Sequence, residues 1–417
     1  MLGAERPGAA AEPPAPTSFF RTFALRVPDP NVWRIYVTTF ALGTAYGIAI
    51  SVIAIYLDAH GFGKEKIGRL AAAFAAGIVV FSLPMDGLIR RFSAKRTLAA
   101  SLAGYALAVT AFPFLRSIWA IAIVRFFDGA CSVGVWVSSE SILLSRADRK
   151  NKAFLTSIYA IAIACGYVAG PVAARLCTSL LPLELAFIVA GVIALGASLY
   201  VLLRLDPDKS MREQELDASP LSGVRTSGGA SLLSRIKTSC FGTFAYGYFQ
   251  ASVVLFLPLY LMEKKGVTRA QTIVIPAYFA GGMLLFSNYA GRLGDRHGHL
   301  RLMRLLGAVG MTMVLGFVWL DWYPLMCTAV FVAGATLASI SPLSLALQGV
   351  VARPHEYSRA TSIYNAFYAA GMLLGPPISS ALFAAHGGGA MLFHLAALWA
   401  AFVAFSFAYR RDDPAAA

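Results

Sequence analysis

The sequence predicts an all-α membrane protein of twelve transmembrane helices, arranged as two pseudo-symmetric six-helix bundles. Three observations carry that prediction. Of 417 residues, 58% are hydrophobic and only 13% charged, with a mean hydropathy of +0.66, well beyond the usage of a water-soluble domain. The apolar residues gather into twelve long runs, and a hydrocarbon core of about 30 Å takes roughly 20 of them per helix. The chain also repeats itself. Residues 156–171 read TSIYAIAIACGYVAGP and residues 361–376 read TSIYNAFYAAGMLLGP, eight of sixteen positions being identical at an offset of 205. Only helices and closed barrels satisfy their backbone polar groups in lipid, and continuous runs of this length read as helices.

Residues 1–31 form a cytoplasmic N-terminal arm rich in Ala and Pro, without the apolar region and small-residue cleavage site of a signal peptide. Within it, residues 18–26 mix aromatics with bases, which suits a short amphipathic helix on the membrane surface or a disordered segment. The first bundle takes residues 32–204, with segments near 32–57, 68–89, 97–115, 118–144, 154–176 and 182–203. A cytoplasmic linker of Pro, Gly, Ser and mixed charge covers 205–236. The second bundle takes 237–410, with segments near 237–262, 270–291, 302–320, 324–350, 360–384 and 389–409, and residues 411–417 are a cytoplasmic tail.

Lys and Arg set the orientation, because cytoplasmic loops carry an excess of positive charge. Arg21, Arg26, Arg34, Arg90, Arg91, Lys95, Arg96, Arg146, Arg149, Lys150, Lys152, Arg204 and a matching set in the second half fall on the side of the N-terminus, against Lys64, Lys66, Arg69, Arg116, Arg175, Lys264, Lys265 and Arg269 on the other. Both termini are therefore expected in the cytoplasm, with a bacterial cytoplasmic membrane as the location. The same bias and anionic lipid account for the net charge of +14, so no nucleic-acid partner is expected. Cys131, Cys165, Cys177, Cys240 and Cys327 are scattered through apolar segments and read as small packing residues.

The offset of 205 also superposes Arg91 on Arg296 and Ser93 on Gly298 without a gap. The halves are thus a duplicated six-helix unit. With six helices, an even number, both copies enter from the same side and relate by an axis along the membrane normal, with a cavity between them. That is a transporter architecture.

The loop after segment 8 reads Gly291-Arg292-Leu293-Gly294-Asp295-Arg296-His297-Gly298-His299-Leu300-Arg301. It resembles the Gly-x-x-x-Asp-Arg-x-Gly signature of the major facilitator superfamily, and the resemblance covers the whole twelve-helix chain. Glycines permit a tight turn, and a carboxylate and guanidinium can latch neighbouring helix ends. The first copy departs from the pattern: Asp86 takes the glycine place and Arg90 the aspartate place, followed by Arg91. The resemblance implies an acid near the cytoplasmic end of segment 4 as a latch partner, and Glu140 is placed there, its repeat position 345 being Leu. Asp86, Arg90, Arg91, Glu140, Gly291, Asp295, Arg296, Gly298 and Arg301 are the candidate cytoplasmic gate. Alternatively, the loop bases only set orientation and meet lipid phosphate.

Segment 4 contains Val124-Arg125-Phe126-Phe127-Asp128-Gly129 close to the expected midplane. A charge at the helix centre costs roughly 2.5–3.5 kcal/mol on insertion scales, so lipid exposure is not expected. The repeat positions of Arg125 and Asp128 are Val330 and Ala333; the fold does not require these charges. The stretch resembles the Arg-x-x-x-Gly pattern of the superfamily's proton antiporters, which implies a tie between Arg125 and proton transfer. A carboxylate beside a guanidinium exchanges protons if its solvation changes between two states. The competing reading is an i, i+3 pair that stays closed.

Gly166-Tyr167-Val168-Ala169-Gly170-Pro171 resembles the antiporter motif of segment 5, with Ala173 and Ala174 replacing its last glycines. Gly371, Gly375 and Pro376 repeat it. Small residues permit close crossing and proline permits bending; plain packing between the halves is the alternative. Tyr46, Tyr159, Tyr246, Gln250, Tyr364, Asn365 and Tyr368 interrupt apolar helices and are the candidate cavity lining. No further buried charge stands out, which favours a neutral, hydrophobic or weakly cationic solute.

His394 reads as a packed residue, and the sequence shows no metal-ligand spacing, nucleophile–base set or nucleotide-binding glycine loop. No enzyme activity, metal or cofactor is expected. The expected function is secondary active transport of a small organic solute by alternating access, as proton-coupled efflux by a monomer. Proton symport or facilitated uptake is the alternative, and a non-cycling sensor or lipid-handling protein is the alternative from another class.

Overall fold

The structure, a computed structural model, describes residues 29–82, 84–146, 152–206, 229–353 and 356–410. The expectations for residues 18–26, 207–228 and 411–417 lie outside the described residues. The first half consists of α1 (Pro30–Ala59), α2 (Lys64–Ser82), the short α3 (Met85–Phe92), α4 (Ala94–Ala111), α5 (Ile118–Ser145), α6 (Lys152–Leu180) and α7 (Leu183–Arg204). The second consists of α8 (Gly229–Lys264), α9 (Arg269–His297), α10 (His299–Gly316), α11 (Tyr323–Val351), α12 (Tyr357–His386) and α13 (Gly388–Ala408). Among the described residues, eleven helices are long and apolar enough to cross a membrane. The twelfth segment of the sequence is α2, which carries Lys64, Glu65, Lys66 and Arg69 in its first two turns.

The repeat holds in three dimensions at the same offset. Helices α4 and α10 begin and end 205 residues apart, as do the 3₁₀ turns Phe112–Phe114 and Phe317–Trp319 that follow them. Four of the five left-handed backbone positions among the described residues also pair: Gly61 (φ 78°) with Gly266 (φ 62°), and Ser93 (φ 74°) with Gly298 (φ 90°); Gly387 (φ 83°) does not, its repeat position being Pro182.

Two boundaries differ from the sequence reading. The second segment, expected at 68–89, ends as α2 at Ser82, and α3 opens after Pro84. Proline supplies no backbone N–H and crowds the preceding turn. Its repeat position is Tyr289, and there α9 runs unbroken to His297. Helix α8 begins at Gly229, inside the stretch read as linker.

Each half packs in the same pairs: α1 with α6, α2 with α5 and α4 with α7, matched by α8 with α12, α9 with α11 and α10 with α13. Glycines set the closest crossings. A β-carbon on Gly129 would lie 2.0 Å from the Phe74 carbonyl oxygen, and one on Gly334 would lie 2.1 Å from that of Phe279. These are the same contact, one per half. Large apolar side chains such as Leu107, Leu203 and Leu285 stay exposed on the outside, as a lipid-facing surface requires. Trp119, Trp319 and Trp322 are exposed near one end, where aromatic rings suit the membrane–water boundary.

Between halves, α6 packs on α9, α2 on α12, and α1 on α8. The end away from the termini is tied shut: Lys64 pairs with Glu263 across the halves and stands 3.5 Å from Asp58. Nearby, Arg175 Nη1 donates to the Ala270 carbonyl at 3.5 Å. At the terminus-bearing end, three ion pairs each stay within one half. Asp29 pairs with Arg146 at 3.1 Å, Arg34 with Asp206 at 3.2 Å, and Arg235 with Glu356 at 2.6 Å.

Candidate functional site

The close α2–α5 crossing at Gly129 brings Phe74 of α2 against the polar turn of α5. Arg125 Nη1 donates to Asp128 Oδ2, one turn on, and the guanidinium carbon lies 4.3 Å from the Phe74 ring centroid. The cation is thus held by a carboxylate and by an aromatic face. Their side chains are 15% and 5% exposed. Asp128 Oδ1 is buried with no hydrogen-bond partner among the described residues.

Both residues line a cavity of about 180 Å³ bounded by the two halves. Tyr46 of α1, Tyr105 of α4 and Tyr167 of α6 form its wall in the first half. The Tyr46 ring lies 6.3, 6.5 and 5.8 Å from those of Phe74, Tyr105 and Tyr167. The facing wall holds Phe249, Gln250, Phe279, Tyr368 and Met372. There Tyr368 donates its hydroxyl to Gln250 Oε1 at 2.9 Å and stacks on Tyr246 at 6.1 Å.

Of the residues chosen from sequence for the lining, Tyr46, Gln250 and Tyr368 stand on the cavity. Tyr159, Tyr246 and Tyr364 are buried away from its lining, and Asn365 is exposed. Tyr364 donates to the Ser341 carbonyl at 2.8 Å. Tyr105 and Tyr167 were missed, although a signal was present. They stand at the repeat positions of Gly310 and Met372, so they break the symmetry as Arg125 and Asp128 do.

Gly166 and Gly170 of α6 pack on Gly43 and Gly47 of α1, where added β-carbons would approach the glycine Cα atoms to 2.8 and 2.6 Å. Gly371 and Gly375 press on the carbonyls of Phe244 and Tyr248 in α8. The packing placed between halves from the sequence therefore lies inside each half. Pro171 and Pro376 sit within continuous helices, and Pro171 reaches the cavity wall.

The gate candidates gather at the terminus-bearing end. Asp86, Arg90 and Arg91 are on α3, the side chain of Asp86 lying outside the described set. Arg91 lies over the Phe92 ring at 5.3 Å. Glu140 is exposed and forms no ion pair among the described residues, so it does not join Arg90 or Arg91 in this conformation. Asp295 stands 3.2 Å from His299 Nε2, Arg296 and Arg301 are exposed, and Gly298 caps α9 and opens α10. Nothing meets Gly291 within 4 Å of a built β-carbon.

The family pattern described as Major Facilitator Superfamily matches residues 35–238 and again 239–417, one match per half. The chain belongs to the major facilitator superfamily. It is 25% identical over 339 residues to the uncharacterized MFS-type transporter YfkF of Bacillus subtilis, covering 80% of this chain and 84% of YfkF. It is 22% identical over 341 residues to the uncharacterized MFS-type transporter YcaD of Shigella flexneri, covering 82% and 86%. Among solved structures it resembles the nucleoside transporter NupG, with a TM-score of 0.74 at 13% identity over 92% of this chain and 99% of that one. A bacterial homologue of the human lysosomal transporter Spinster, in an inward-facing and occupied conformation, gives 0.72 at 13% identity over 95% and 98%. This major facilitator chain is therefore a multi-pass integral membrane protein that moves a solute across the membrane.

Proposed function

We propose that the protein is a proton-coupled secondary transporter that exports a small organic solute by alternating access. One observation carries this reading. A buried carboxylate, bonded to Arg125 through one oxygen and unpartnered at the other, faces the cavity between halves, and the repeat holds no such pair. A carboxylate so placed has two states. Ionised, it holds Arg125; protonated, it loses most of that attraction and frees the guanidinium, which already lies over Phe74, to turn toward the solute. Rocking of the halves changes the water reaching Asp128 and therefore which side supplies its proton.

The distribution of Lys and Arg supports a bacterial cytoplasmic membrane with both termini inside. In that frame the ties Lys64–Glu263 and Arg175–Ala270 close the outer side. Glu140 and the α3 and α9–α10 loops latch the inner side in the opposite state.

The test uses proteoliposomes with an imposed pH gradient and a panel of neutral organic solutes. Wild-type protein should move solute against the proton flow, and Asp128→Asn should abolish coupled movement at normal expression. Coupled transport unchanged in that variant contradicts the assignment. Movement with the proton flow indicates symport, and no movement in either direction indicates a non-cycling protein.

A further inference from the structure

The cavity has a definite polar pattern. Two buried polar atoms on its first-half wall are unpartnered, Asp128 Oδ1 and the Tyr105 hydroxyl. Tyr105 is 1% exposed and Asp128 4%. They belong to different helices, α4 and α5, and both residues line the same cavity. An unpaired buried polar atom is costly, so two in one cavity mark a place built to be completed by another molecule.

Their chemistry is asymmetric. Asp128 Oδ1 only accepts while the carboxylate is ionised, whereas a tyrosine hydroxyl both donates and accepts. An anionic group would leave net negative charge in a buried site, since the single cation Arg125 already balances Asp128. A cationic head would leave net positive charge in a buried site, with Arg125 beside it. A hydroxyl group fits without either cost, donating to Asp128 Oδ1 and accepting from Tyr105. The rest of the wall is apolar or aromatic, with Phe249, Phe279 and Met372 opposite. Since Tyr368 occupies Gln250 Oε1, the Gln250 amide, which also lines the cavity, offers its N–H groups to an acceptor.

We propose that Tyr105 and Asp128 form a hydroxyl-binding subsite, and that the solute is an uncharged, largely aromatic or apolar alcohol or phenol. It rests on the transport reading only in taking this cavity as the solute site. A proton on Asp128 Oδ1 and the solute hydroxyl compete for one atom, which links the subsite to coupling.

The test is binding to the purified full-length chain in detergent, read by thermal stabilisation, so that it does not depend on transport. The probes are 2-phenylethanol, its methyl ether, phenethylamine and phenylacetate. The alcohol should bind at least tenfold more tightly than the ether, which lacks the donor, and than both charged analogues. Tyr105→Phe, which keeps the ring, should weaken alcohol binding about tenfold, while Leu107→Ala on the lipid-facing side of α4 should not change it. Tighter binding of the amine, the carboxylate or the ether, binding of the alcohol unaltered by Tyr105→Phe, or no stabilisation by any probe would overturn the proposal. Proton-driven transport of an amine by the same preparation would leave the transport reading intact while this one fell.

Discussion

Ser93 shows how much one backbone position records. Its φ of 74° and ψ of 151° belong to a region that is nearly exclusive to glycine, at a cost of about 1–3 kcal/mol, and its repeat partner is Gly298. The side chain recovers little, accepting from the Arg96 N–H at a long 3.4 Å, and Ser→Gly at a helix N-cap costs only a few tenths of a kcal/mol. Ser93→Gly should therefore stabilise the protein by about 1 kcal/mol, seen as a higher melting temperature in detergent; an unchanged or lower one contradicts the strain argument. The sequence showed the Ser93–Gly298 equivalence but not the strain, because offset matching compares identities and carries no dihedral angles. The charged pair Arg125 and Asp128 was legible for a different reason. Charge inside an apolar run is costly in any orientation, so its presence alone is informative. Tyrosine is tolerated in a packed wall, at an interface or on a cavity, and its identity does not choose among them. That is why Tyr159 and Tyr246 were selected with Tyr46, and Tyr105 was passed over.

Helices were legible in number and register, since lipid demands long apolar runs and the duplication fixes their spacing. Their ends were less so. Pro84 divides what hydropathy joins, because a hydropathy average ignores the missing N–H. Crossings are the element-scale feature that the repeat tests best. Gly129 and Gly334 make the same contact with a carbonyl of the neighbouring helix, at 2.0 and 2.1 Å from a built β-carbon. Backbone cannot step aside as a flexible side chain does, so Gly129→Ala and Gly334→Ala should each cost about 1–3 kcal/mol. Both should lower the melting temperature by similar amounts although only Gly129 neighbours the charged pair. A wild-type melting temperature in either variant would show that the helices separate freely. Transport assays on the two would then divide by half, with Gly129→Ala the more damaging, because only that crossing aligns Phe74 with Arg125.

At the scale of the whole molecule, the two halves meet through α2–α12 and α6–α9. Gly68 marks the tightest point, where a β-carbon would lie 2.3 Å from Ser380 Oγ and 2.8 Å from the Pro376 carbonyl of the other half. Gly68→Val should keep each bundle intact and shift the population toward a state open at the end away from the termini. Distances between labels across that end would lengthen; unchanged distances would show that this seal does not control the balance. Mild acid should not disturb the cluster at the terminus-bearing end. Burial disfavours the Asp29 charge, but the Asn31 backbone N–H and the Arg146 guanidinium outweigh it and hold the carboxyl below its ordinary range. Its contribution is present above the usual aspartate value near 4 and is lost only as pH falls through the depressed one. A conformational response between pH 5 and 8 must then arise elsewhere.

That response tests the central claim most directly, and it needs no knowledge of the solute. Spin labels at positions 92 and 297 report one end, and labels at 117 and 322 report the other; all four positions are exposed, and each pair is related by the repeat. With the native cysteines replaced, pulsed distance measurements from pH 5 to 8 should resolve two populations whose ratio changes with pH, the two ends opening in opposition. Asp128→Asn should remove that dependence. A single population at every pH, or the same pH response in Asp128→Asn as in the wild type, would contradict a transporter switched by the proton on Asp128.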